Sequence, residues 1–431
     1  MSRSPSPRRL PVIWPALVAS LAVACSAPPQ NATAAPTETA EAEAPVETSW
    51  TPSPEDEAFY AERYNTFVEA FRSGAATTSY DTLGPVRGAP AGQTAIPAAE
   101  AGLDPVVAKT ITDYAAANNS QALIVYQAGE ILHEAYFQDR DADSLIVGKS
   151  LAKPLGVVAI GRAIQEGKIG GLDQPVSDFI TEWQGTDKES ILIRHLLDMR
   201  SGLLPQGPAP DAENVLNRAY LHPRHIEVII HEYPLTHEPG ARYEYSNANA
   251  EMVAPIIERA TGVEYEDWIA DQVLMRIDAA GGEVWMNRPG GTAHAGCCML
   301  LPARSWLNLA RLVMQDGVWD GERLLPEGYT AQMTTPTPQN THSGMGVYIG
   351  QPYIEYRGFM NPEMPFGKSF HSEPYVDDDL VLFDGNSNQV VYIIPSKELI
   401  VLRVGETPPK EPVWDNAFLP NTVSRALDST E

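Results

Sequence analysis

The stretch Gly148-Lys149-Ser150-Leu151-Ala152-Lys153-Pro154-Leu155-Gly156-Val157-Val158-Ala159-Ile160 decides how the rest of the chain is read. Between Ser150 and Glu166 the apolar residues Leu151, Leu155, Val158, Ala159 and Ile164 fall near helical spacing, and Gly167 supplies a stop, which predicts a buried helix. At its start Ser150 and Lys153 stand three residues apart, so on a helix they share one face and the amine can reach the hydroxyl. A serine hydroxyl is a poor nucleophile at neutral pH unless a base takes its proton. A buried lysine can serve, because desolvation lowers its pKa. Backbone N–H groups at a helix start can also face a developing oxyanion. Letters alone are weak evidence: 24 Ser and 8 Lys among 431 residues give about 0.4 chance S-x-x-K matches.

Outward from this helix the pattern changes. Segments 122 to 127 and 131 to 137 flank Ala128-Gly129-Glu130 and predict a hairpin. From about 170 to 335 helical patterns dominate, at 190 to 199, 248 to 260, 264 to 276 and 303 to 315. Strand patterns return at 346 to 349, 380 to 383, 389 to 394 and 399 to 404, and a last helix is expected from about Asp415 to Leu427. Strands at both ends enclosing a helical middle predict an α+β fold: an antiparallel sheet built from both termini, flanked by helices, with an inserted, mainly helical region at about 150–335.

A second candidate is Tyr245-Ser246-Asn247, where a phenol can act as base or proton relay, and an amide two residues on can donate to a substrate carbonyl and hold the lysine. The wording around both candidates carries more than their letters. Gly148 to Lys153, Ala163 to Ile169, Leu172-Asp173-Gln174-Pro175-Val176, Ile193 to Leu203 and Pro239-Gly240 to Asn247 resemble the serine β-lactamase-like hydrolases: class C β-lactamases, penicillin-binding proteins and related esterases. Arg304, Leu309-Ala310, Asp316-Gly317 and Leu324-Leu325-Pro326 resemble the 6-aminohexanoate-dimer hydrolase branch.

The resemblance implies a β-lactamase/transpeptidase-like fold over 56–431. It makes Ser150 the acylated nucleophile, Lys153 its partner base, Tyr245 a second base or proton shuttle, and Asn247 a substrate-positioning amide. Oxyanion donors would be the Ser150 N–H and one from the late strands. The third family motif, usually a cationic or aromatic residue before a small residue and Gly, is replaced by Asp384-Gly385-Asn386-Ser387-Asn388. Asn386, Ser387 and Asn388 are therefore candidate substrate contacts, and recognition of a substrate carboxylate is disfavoured. His342-Ser343-Gly344 matches the motif's letters but lies upstream of the terminal hairpin. The implied activity is hydrolysis of a small ester, amide or peptide without metal or organic cofactor. The alternatives are a β-lactamase or D,D-peptidase, and a non-catalytic peptidoglycan-associated binding protein of the same fold.

The remaining signals set context. Arg3, Arg8 and Arg9 precede an apolar run from Leu10 to Ala24, too short for a comfortable membrane span, and Leu21-Ala22-Val23-Ala24-Cys25 resembles a lipoprotein processing box. Residues 1–25 are read as a signal, Cys25 as the lipid attachment, 26–55 as an Ala/Pro/Thr/Glu-rich linker, and the location as the periplasmic side of the envelope, with a membrane as partner. A net charge of -26 opposes nucleic acid. Cys297 and Cys298, as sequence neighbours, are expected to be unbridged small hydrophobes. His222 and His225 are expected to be surface or capping residues, and Trp183, Tyr353 and Tyr356 are possible cleft aromatics.

Overall fold

A computed structural model describes residues 50–73, 80–90, 96–207, 209, 211–358, 360–363 and 367–429. Cys25, the signal segment and residues 26–49 lie outside the described residues. The expected linker ends earlier than 55. Trp50 stacks on His231, and helix α1 (Pro54–Ser73) begins inside the expected linker, with Glu55, Asp56 and Glu57 favouring its N-terminus.

Six strands form the main sheet: β1 (Ser120–Gln127), β2 (Glu130–Tyr136), β3 (Tyr348–Ile349), β4 (Val381–Gly385), β5 (Gln389–Ile394) and β6 (Leu399–Gly405). Their order is β2-β1-β6-β5-β4-β3 and every pairing is antiparallel. The hairpins β1–β2 and β5–β6 match the expected strands closely. The two ends of the chain meet where β6 pairs with β1, with Val401 opposite Val125 and Leu402 opposite Ile124. The sheet is covered on both faces, which is why its strands read as apolar runs. Ile124, Val391, Phe383 and Leu402 point into one core, while Val125, Val390, Leu382 and Val401 point into the other. Helices α2 (Pro105–Ala117) and α7 (Phe418–Asp428) cover the second face through Ile111, Ala115, Leu419 and Val423.

The first face carries the helical region. A 3₁₀ turn, Lys149–Leu151, leads into α3 (Ala152–Gln165), which is buried from Ala152 to Ala163. A helix apolar on nearly all sides belongs in a core, and α3 is the central one. It packs against α5 (Val253–Thr261), its Lys153 bonds the start of α4 (Asn247–Glu251), and α6 (Ala303–Met314) lies on β5 and β6. One departure lies inside this region. Strands Leu83–Val86, Gly282–Trp285, Met299–Leu301 and Ile146–Val147 form a second, four-stranded sheet that periodicity did not reveal, since pieces of two to four residues carry too few alternations to register. Cys297 and Cys298 are buried as expected but joined by a disulfide. Cys298 takes a left-handed φ of 69°, and the turn brings the neighbouring sulfurs together.

Candidate active site

Ser150 sits in the 3₁₀ turn between the strand Ile146–Val147 and α3, following Lys149, whose φ of 50° places it in the left-handed region. Its hydroxyl projects into a cleft that is also lined by Lys153, Met199, Tyr243, Tyr245 and Asp384.

Three segments far apart in sequence converge on Ser150. Lys153, one turn along on α3, places Nζ 3.1 Å from Ser150 Oγ. Tyr245 OH lies 2.8 Å from the same oxygen. The Tyr245 main chain is clamped on both sides, its carbonyl accepting from Gln206 N at 2.8 Å and its N–H donating to Met360 O at 2.9 Å. Two residues on, Asn247 opens α4 and accepts from Lys153 Nζ through Oδ1 at 2.9 Å. Gly296 supplies a further acceptor through its carbonyl, at 2.8 Å from Nζ.

These contacts define a proton inventory. A neutral lysine amine has two N–H donors and one lone pair. Asn247 Oδ1 and Gly296 O take the two donors, which leaves the lone pair toward Ser150, while the phenol can donate to Ser150 Oγ. The electrostatics agree. Lys153 is only 7% exposed, and burial pulls its pKa down to about 7, against a weaker opposing pull from Glu251. Burial pushes the Tyr245 phenol well above its ordinary range, so it carries its proton at neutral pH.

The end of β4 passes close over Ser150. A Cβ on Gly385 would stand 3.2 Å from Ser150 N and 3.0 Å from Gly148 O, so a larger residue would push the strand and the Ser150 main chain apart by a few tenths of an ångström. The preceding residue, Asp384, faces the cleft and is bonded to the buried guanidinium of Arg357, which also lies over the Tyr348 ring at 4.1 Å. Burial raises the Asp384 pKa and Arg357 opposes that rise.

Of the candidate residues, Ser150, Lys153, Tyr245 and Asn247 are brought together. Asn386, Ser387 and Asn388 are not. Asn386 is exposed beyond β4, and Ser387 and Asn388 form the β4–β5 turn with φ of 68° and 56°. Their carbonyls accept from Arg403 Nη1, and Ser387 Oγ bonds Thr407 Oγ1, so this turn is stapled to β6 and does not line the cleft. Trp183 is core, donating its indole N–H to Ile230 O. Gly296, Asp384 and Arg357 were not singled out from sequence. A backbone acceptor leaves no side-chain signature, and a carboxylate and guanidinium 27 residues apart carry no spacing rule. Ser343 and Gly344 also line the cleft, so part of the His342-Ser343-Gly344 match reaches the site from the β3 side.

The comparisons with known proteins follow the same lines. A 6-aminohexanoate-dimer hydrolase of Paenarthrobacter ureafaciens is 25% identical over 221 residues, covering 49% of this chain and 56% of that protein. The match thus spans little more than half the length of that curated relative. Among solved structures, a Bacillus anthracis protein provisionally named a 6-aminohexanoate-dimer hydrolase superposes with a TM-score of 0.61 at 17% identity, covering 88% of this chain and 98% of its own. A class C β-lactamase from Rhodobacter sphaeroides gives 0.51 at 15% identity, covering 75% of this chain and 98% of its own. At such identities these structures speak for the fold, which is of the β-lactamase/transpeptidase type. The Beta-lactamase family model matches residues 107–416, a span that holds the whole Ser150, Lys153, Tyr245 and Asn247 constellation, and the chain belongs to that family.

Proposed function

We propose that the protein is a serine hydrolase that cleaves an ester or amide through an acyl-enzyme on Ser150. The observation that carries this reading is one hydroxyl within 2.8 Å of a phenol and 3.1 Å of a buried amine. Ser150 Oγ attacks the substrate carbonyl carbon while its proton passes to Lys153 Nζ. The resulting oxyanion is held by the Ser150 N–H and a second main-chain donor at the end of β4. Collapse of the intermediate breaks the bond to the leaving group, which takes a proton through Tyr245. Water then attacks the acyl carbon by the reverse proton path and frees Ser150.

Asp384 favours particular substrates. It places a carboxylate where a β-lactam-directed relative would offer a cation, and Arg357 is already committed to it. An acyl group bearing a carboxylate is therefore disfavoured, while neutral or ammonium-bearing esters and amides are accommodated. This supports the esterase or amidase reading over a β-lactamase or D,D-peptidase. A fluorophosphonate probe tests the activated serine: the expected result is labelling of the wild type and none of Ser150→Ala. A folded wild type that fails to label would leave only the non-catalytic reading. A panel of p-nitrophenyl esters, aminohexanoate dimers and nitrocefin then sorts the substrate class, and fast nitrocefin turnover would overturn the assignment to esters and amides.

The processing-box motif supports an envelope location with Cys25 as the lipid attachment. Cys25→Ser should move the protein from the membrane fraction to the soluble one, and unchanged membrane association would refute that attachment.

A further inference from the structure

Outside the cleft, three chemistry-bearing side chains meet in the interior. His225 opens the helix His225–His231, Glu251 closes α4, and His294 lies between the strands Gly282–Trp285 and Met299–Leu301. All three residues are 0% exposed, so the expectation that His225 is a surface or capping residue is corrected. Glu251 Oε2 is 3.4 Å from His225 Nε2, and Oε1 is 3.5 Å from His294 Nδ1. These separations are longer than good hydrogen bonds, and no side-chain nitrogen or oxygen of the trio makes a hydrogen bond of good geometry.

Buried polar groups are normally satisfied, so three adjacent failures call for one explanation. The carboxylate faces each imidazole through a separate oxygen, but at 3.4 and 3.5 Å and without hydrogen-bond geometry neither contact satisfies the groups that make it. A cation shared by all three serves each of them. One donor atom per residue can be chosen so that all lie within 4.8 Å of one another. Metal bonds of about 2.1 Å in a tetrahedral arrangement put neighbouring donors ~3.4 Å apart, close to the two measured separations. The donor set is two imidazoles and a carboxylate, which suits zinc and its first-row neighbours rather than the all-oxygen preferences of magnesium or calcium. The His225 and His294 rings stack at 4.1 Å and 21°, so one imidazole must turn about its terminal torsion to aim at a common ion. That torsion is soft. The ring of Trp285 covers His294 at 4.0 Å and closes the site on that side.

We propose that His225, Glu251 and His294 form a buried site for one divalent transition-metal cation of the zinc type, completed by the second carboxylate oxygen or a water. The ion acts as a clasp. Glu251 ends the helix whose first residue, Asn247, accepts from Lys153, and His294 stands two residues before Gly296, whose carbonyl accepts from the same amine. Gly296 packs so closely on the trio that a Cβ there would come within 2.8 Å of Glu251 Oε1. The three ligands are thus positioning residues, tying together both acceptors of the lysine.

The test uses the full chain without a histidine tag, stripped with a chelator, desalted and equilibrated with Zn²⁺ or Co²⁺. Elemental analysis should find about one Zn²⁺ per chain. Co²⁺ should give visible ligand-field bands that Zn²⁺ displaces. Glu251→Gln and His294→Asn should each weaken retention by at least roughly tenfold. Ser150→Ala should bind as the wild type does, which separates this site from the hydrolase reading. A folded wild type that retains no Zn²⁺ and shows no Co²⁺ bands overturns the proposal, as do folded ligand variants that retain metal like the wild type. Should the variants fail to fold, the wild-type Co²⁺ titration decides alone.

Discussion

Asn247→Asp offers a direct test of Lys153 as the base. The substitution keeps the side-chain shape and places a carboxylate oxygen where Oδ1 now stands, 2.9 Å from Lys153 Nζ. Lys153 titrates at about 7 because burial disfavours its charge. Only the neutral amine can accept the Ser150 proton, so activity is present above that midpoint and lost as pH falls through it. An opposite charge at contact distance favours the ammonium and raises such a pKa by about 1–3 units. For a rise of about 2 units, the neutral fraction at pH 7 falls from about one half to about one hundredth, a loss of roughly fiftyfold. The deficit shrinks to about twofold by pH ~9. The assay is kcat/KM for a p-nitrophenyl ester across pH 5 to 10 (range on the order of the expected shift), with Ser150→Ala subtracted as background. Because the substitution also alters the surroundings of Ser150, the informative quantity is the midpoint of the acidic limb rather than the absolute rate, and Asn247→Ala should lower the rate without moving the midpoint upward. An Asn247→Asp profile that drops equally at every pH, with its limb unmoved, would refute Lys153 as the acylation base.

Three further outcomes follow from the cleft. Tyr245→Phe removes the proposed proton relay and leaves Ser150 and Lys153 in place. Amide turnover should fall by roughly 10²–10³, while p-nitrophenyl esters, whose leaving group needs no proton, should lose far less. Equal losses on both substrates, read from kcat, would show that the phenol does not serve the leaving group. Asp384→Asn frees the buried Arg357 guanidinium. KM for carboxylate-bearing substrates should drop and KM for ammonium-bearing ones should rise, with a loss of stability of about 3–5 kcal/mol seen in denaturant melts. Unchanged substrate preference would remove Asp384 from the specificity argument. Gly385→Ala pushes a Cβ to 3.2 Å from Ser150 N and should shift the oxyanion donors. A fall in kcat of about 10²-fold with little change in KM is expected, and an unaltered kcat would place the oxyanion site elsewhere.

The pairing of Asp384 with Arg357 bears on why such specificity is stable. A carboxylate this deep would be expected to take up a proton, and burial does raise its pKa, yet the adjacent guanidinium opposes that rise. The cleft wall thus presents a committed ion pair, and a substrate charge is judged against that pair rather than against bulk water.

The contrast between Ser150 and Ser387 shows what was legible beforehand. Ser150 and Lys153 are linked by one helical turn, so their spacing alone put amine and hydroxyl on one face. Short, nearly unbroken apolar runs likewise located β1, β5 and β6, because both faces of these strands are buried. Local rules of this kind determined the helix, the main sheet strands and the pairing of Ser150 with Lys153. Ser387 and Asn388 were misplaced because their distance from the cleft depends on Arg403 reaching across from β6, a contact with no local signature. The same holds for Gly296, whose carbonyl joins Lys153 from 143 residues away. It holds too for the meeting of His225, Glu251 and His294, and for the lysine pKa of about 7, which exists only once the amine is buried. Sequence spacing governs neighbours along one element. Long-range packing sets desolvation and the approach of distant segments, and only tertiary structure could decide either.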